Sequence, residues 1–187
     1  MSYYRDTLSA VVRCLSAETI DNTSKQAWQK LYDAGYPEAR SGNGLSAEEQ
    51  RDMDCLLHAR LHRQLSALDW AVLVAKYSTH KARKVDAIGA LFSRVESPAP
   101  HLFRSKAITA WAIPELRGAE GRRSTDMIVL PKAFYCMNSW DLDGRPERTR
   151  QRWRAELNRK LEGLVTEALK RVEVVLILEG VLAHEAA

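Results

Sequence analysis

The sequence predicts a mostly α protein: a compact helical body with a C-terminal helix-turn-helix and a long final helix. Three observations predict it. Apolar residues recur at i, i+3 and i+4 in segment after segment, the spacing of core-facing helices. Helix-start patterns, Ser46 with Glu49 and Ser66 with Asp69, stand in front of two of those segments. The one stretch rich in β-branched residues, RVEVVLILEG, has no partner strand elsewhere and is therefore read as helix up to Gly180. The organisation that follows is an N-terminal helical segment and linker over 1–45, a helical core over 46–114, and the helix-turn-helix with the C-terminal helix over 115–187.

The elements follow in chain order. Thr7 to about Tyr32 is predicted helical, with Leu8, Val11, Val12 and Leu15 inward and a second start near Thr23 or Ser24 carrying Trp28 and Leu31. Residues 34–46 form a loop by their Gly, Pro and Ser content. The helix opened by Ser46 carries Met53, Leu56, Leu57, Leu61 and Leu65. The next, from Ser66, carries Trp70, Leu73, Val74 and Tyr77. Thr79 to Lys84 reads as a polar joint before a helix with Val85, Ile88, Leu91 and Phe92 inward. SPAP breaks the chain, RSKAITAWAI is helical, Pro114 ends it, and 115–126 is an exposed loop. Then MIVLPKAFYCMNSWD is expected as one helix, Asp143, Gly144 and Pro146 as a turn, and RTRQRWRAELNRKLEGL as a second helix.

That second helix holds the charge. From Arg145 to Lys160 seven basic residues face two acidic ones, a local +5, whereas the whole 187-residue chain carries only +4. At about 100° per residue, Arg148, Arg152 and Arg159 share one face, with Arg145 near it. Trp153, Leu157, Leu161, Leu164, Ala168 and Val172 share the opposite face. An arginine row on the second helix of such a pair suits the DNA major groove; a solvated basic face on an ordinary amphipathic helix is the alternative. His80, Lys81, Arg83 and Lys84 form a smaller basic patch at a joint, a second candidate helix-turn-helix.

Composition excludes several classes. Hydrophobic content of 45% and charged content of 28% are those of an ordinary globular protein. The longest apolar run, Trp70 to Ala75, is too short to span a bilayer. The start lacks a secretory pattern, and three scattered cysteines make no disulfide framework, so a cytoplasmic location without membrane contact is expected. Cys55, His58 and His62 at i, i+3 and i+7 could hold zinc with Cys136, but no close ligand pair such as CxxC exists. A buried cysteine and two hydrogen-bonded histidines are expected instead. Asp141, Asp143, Glu115, Glu120 and Asp126 could serve a metal-dependent nuclease, though aspartates at turns are more often turn-formers. No nucleotide or hydrolase motif is present, and no enzymatic activity is expected.

The segments DWAVLVAKYS, LFRSKAITAWAIPEL, GRRSTDMIVLP, FYCMNSWD and RTRQRWR resemble those of the Q-type late-gene antitermination proteins of lambdoid phages and prophages, over roughly residues 65–182. The resemblance implies a sigma-like helix-turn-helix factor that binds double-stranded DNA near a late promoter. It also implies action on the bacterial RNA polymerase holoenzyme, in a sigma-containing paused complex, so that pauses and terminators are read through. Carried onto this chain it implies DNA contact by Arg148, Thr149, Arg150, Arg152 and Arg154. With the charge pattern, the expected DNA-binding set becomes Arg145, Arg148, Thr149, Arg150, Arg152, Arg154 and Arg159. Arg148 and Arg152 face the groove, and Arg145 and Arg159 face phosphates. The cysteine-rich zinc motif of the best-known member is missing here, and no cofactor is expected. The rival expectation is a helix-turn-helix subunit of a phage DNA-packaging or replication assembly.

Overall fold

The computed structural model describes residues 3–23, 46–115 and 128–182. Among them are six α-helices and no strand: α1 (Thr7–Thr23), α2 (Ala47–Gln64), α3 (Ala67–Tyr77), α4 (Lys81–Arg94), α5 (His101–Ala112) and α6 (Glu147–Leu178). Two 3-10 turns, Lys132–Tyr135 and Met137–Ser139, lie between α5 and α6. The expected helix start carrying Trp28 and Leu31, and most of the loops at 34–46 and 115–126, lie outside the described residues.

Local chemistry sets the helix ends. Ser46 Oγ accepts from the Glu49 amide at 3.2 Å while the Ser46 amide donates to Glu49 Oε2 at 2.8 Å, a complete capping box. The Ser46 amide, and then the Ser46 hydroxyl donating to the same Oε2 at 2.8 Å, hold the Glu49 carboxyl below its usual range. Ser66 Oγ caps α3 through the Asp69 amide at 3.1 Å. At the far end of α6, Gly180 adopts φ +70°. Its amide reaches Ile177 O, and the Val181 amide reaches Leu176 O, both at 3.0 Å, the paired bonds of a Schellman stop.

α6 is the spine. Its 32 residues span about 48 Å at 1.5 Å per residue. Trp153, Leu157, Leu161, Val165, Ala168, Val172 and Leu176 line its buried face. Leu164, expected there, is only partly buried, and Val165 takes the deeper place. α3 runs antiparallel to it, pinned by Arg171 on Asp69 at one end and by Lys76 on Glu162, 2.6 Å apart, at the other. Glu162 also accepts Trp111 Nε1–H at 2.8 Å, which ties in α5. Partial burial opposes ionisation of Glu162, but these donors prevail and its carboxyl sits below the usual range.

α3 is covered on all sides, because α4 and α6 both lie against it. Ala71, Val72, Leu73, Val74 and Ala75 are consecutively buried, so the expected one-sided stripe of Trp70, Leu73, Val74 and Tyr77 is too narrow.

Three expectations are corrected. In α1 the inward set is Ala10, Val11, Cys14 and Leu15, while Leu8 and Val12 are exposed, because α2 packs on the face that carries Cys14. In α4, Val85 is exposed, and Ala87 joins Ile88 and Leu91 in the core. The largest correction concerns the first helix of the expected pair. Residues 128–131 are not helical, and the aromatic stretch after them forms two 3-10 turns. Pro131 supplies the reason: it lacks an amide proton and pushes Leu130 toward extended backbone. Trp140 Nε1–H then folds back onto Phe134 O at 2.6 Å, and the indole fills the core.

Candidate nucleic-acid interface

The basic segment begins at a tight turn. Buried Asp141 accepts the amides of Asp143 at 3.2 Å and Arg145 at 2.6 Å. Gly144 holds φ +65°, a conformation open to glycine at little cost. Asp141 is thus a turn-former, occupied by backbone donors, and Asp143 lies 3.8 Å from Arg145. Glu120 and Asp126 lie outside the described residues. Pro146 stands one position before α6, and its carbonyl accepts the Thr149 amide at 2.9 Å.

The seven expected contact residues divide into two groups. Arg145, Arg148, Arg152 and Arg159 are exposed. The last three follow one another up one face of α6, opposite Trp153 and Leu157. The positive end of the helix macrodipole lies at the same end, which adds to the attraction for an anion. Arg150 and Arg154 turn the other way. Arg150 Nη1 donates to Asn138 Oδ1 at 2.7 Å, and the Arg154 guanidinium lies over the Trp140 ring, 5.4 Å from its centroid. Both fasten the 3-10 segment to the helix. Thr149 is half-buried beside them. Lys160 is held by Glu96 O at 2.9 Å and by Glu156 at 3.2 Å.

This division makes a prediction. Arg154→Ala should lower stability by about 0.5–1 kcal/mol, through the lost cation–π contact, and leave nucleic-acid affinity nearly unchanged. Chemical denaturation together with a binding titration checks both halves.

The joint expected as the second candidate helix-turn-helix is where two α-helices meet through a short connection. α3 and α4 are joined by Ser78, Thr79 and His80, the three-residue connection of a helix-turn-helix. Much of the basic patch there serves the turn. His80 Nδ1 caps α4 by accepting the Arg83 amide at 3.4 Å. Lys84 Nζ donates to Lys76 O at 3.1 Å and Ser78 O at 3.3 Å, and burial, then the nearby Lys76 charge, push its pKa down. Arg83 Nη1 reaches His58 Nε2 at 3.4 Å.

His58 and His62 stand parallel, 6.5 Å apart, each edge-on to Trp70 at about 5 Å. Cys55, expected to be buried beside them, is exposed, and Cys136 is exposed as well. Cys55 shares their helix face by spacing but stands nearly a turn before His58, and only the two imidazoles pack on Trp70. Among the described residues no three His, Cys, Asp or Glu side chains are grouped to hold a metal ion. Among them, too, no helix is long and apolar enough to cross a membrane. No family model, curated protein or solved structure matches the chain.

Proposed function

We propose that the chain is a DNA-binding transcription factor of the antitermination type. It would hold duplex DNA near a late promoter and modify a paused bacterial RNA polymerase holoenzyme to read through pauses and terminators. The observation that carries the DNA half is the row Arg148, Arg152 and Arg159, exposed on a helix whose opposite face is locked into the core. A guanidinium row on a rigid scaffold meets base edges and phosphates in register with little loss of conformational freedom. The resemblance of RTRQRWR and its companion segments to Q-type proteins supports the polymerase half. Its proposed setting is the cytoplasm of the bacterial host.

The mechanism is recruitment. The arginine row raises the local concentration of a second, polymerase-facing surface, as linking two weak contacts does. A transcription template with a late promoter and a downstream terminator tests it. Added protein should raise read-through by the host polymerase, and Arg148→Ala with Arg152→Ala should abolish the rise at low protein and restore part of it at high protein. No read-through on any such template, together with a many-membered ring in solution, would point to a packaging subunit instead.

A further inference from the structure

The C-terminal half of α6 carries an apolar face that the fold leaves open. Val174 is 57% exposed and Leu178 is 80% exposed. Beside them Leu65, Leu68, Leu164 and Val175 line a groove of about 690 Å³ between α6 and the α2–α3 junction. Glu167 and Arg171 stand on its rim, and the pairing of Arg171 with buried Asp69 fixes the guanidinium in place. Leu164, Glu167, Arg171, Val174 and Leu178 fall within a sector of about 80° on α6.

We propose that this face binds a second copy of the chain, α6 against α6, antiparallel about a two-fold axis at the height of Leu169. The charge order selects that register. With the axis there, Glu167 meets its copy's Arg171 and Val174 meets its copy's Leu164, twice over by symmetry. Moving the axis two residues toward the C-terminus sets Arg171 against Arg171. Moving it two residues the other way sets Glu167 against Glu167 and Val174 against Lys160. Of the three, only the central register pairs Glu167 with Arg171 and Val174 with Leu164 together, with Leu178 over the aliphatic stem of its copy's Lys160, which is the self-complementarity a two-fold contact requires. The interface is separate from the arginine row and needs no nucleic acid.

Sedimentation of nuclease-treated protein tests it. The wild type should be a dimer, and Val174→Asp should weaken association about tenfold or more, because each interface would bury two unpaired carboxylates. Its melting temperature at low concentration should not change, since the site is exposed in the single chain. Register is read with a short bis-maleimide on a Cys55→Ser, Cys136→Ser background. Lys170→Cys should link to its own copy, about 3 Å away along the axis, whereas Leu178→Cys, about 27 Å from its copy, should not. A wild type that stays monomeric at high concentration overturns the proposal. So does a dimer indifferent to Val174→Asp, or one linked through Leu178→Cys and not through Lys170→Cys.

Discussion

Trp153→Ala should lower the stability of the fold by about 3–5 kcal/mol, the usual cost of truncating a buried tryptophan. The indole is only 6% exposed and sits where three parts of the chain meet. Phe103 of α5 meets it edge-on at 5.5 Å, and the same Phe103 ring meets Trp140 of the turn segment at 5.4 Å. Removing Trp153 leaves a cavity beside Phe103 that the packed helices fill only in part, so little of the cost is recovered by collapse. For a chain of this length the melting temperature should fall by roughly 2–4 °C per kcal/mol. Thermal unfolding followed by circular dichroism checks it. An unchanged melting temperature with lost DNA binding would mean that the arginine face and the core face of α6 are interchanged.

Arg148→Ala and Arg152→Ala should have the opposite profile. Both side chains are exposed, so the melting temperature should hold. Each should weaken a specific DNA site by on the order of 1–3 kcal/mol, the worth of a good bidentate base contact, and weaken random DNA less. Arg159→Ala should weaken all duplexes alike, as a phosphate contact does. Arg154→Ala, stacked on Trp140, is the internal control. Equal losses on specific and random DNA for Arg148, Arg152 and Arg159 would leave only a featureless basic surface.

What the sequence disclosed was mostly local. Ser46 with Glu49, Ser66 before Asp69 and Gly180 each bond within a few residues, so their spacing alone located three helix ends. The apolar face of α6 was legible because a long helix repeats its pattern over many turns. The face of α1 was not. Its apolar residues are spread widely enough to suit two orientations, and contact with α2 decides between them. The helix expected before the turn failed for a related reason. The run from Met127 to Asp141 is apolar and aromatic enough to read as a buried helix, yet Pro131 and the bond from Trp140 to Phe134 O favour tighter turns. Within the arginine segment, charge and periodicity identified the exposed row. They did not reveal that Arg150 and Arg154 face Asn138 and Trp140, because those partners reach the helix only through the fold.

The most direct test of the arginine row is the salt dependence of duplex binding, measured for the wild type and for the triple variant Arg148→Ala, Arg152→Ala, Arg159→Ala. Each phosphate neutralised contributes about −0.9 to the slope of log affinity against log salt concentration. Loss of Arg159 from a phosphate should therefore flatten the slope by about 0.9, and loss of the two groove-facing arginines should add a smaller change, with the fold intact. An identical slope for the two proteins would contradict the account, because the DNA would then be held by some other face.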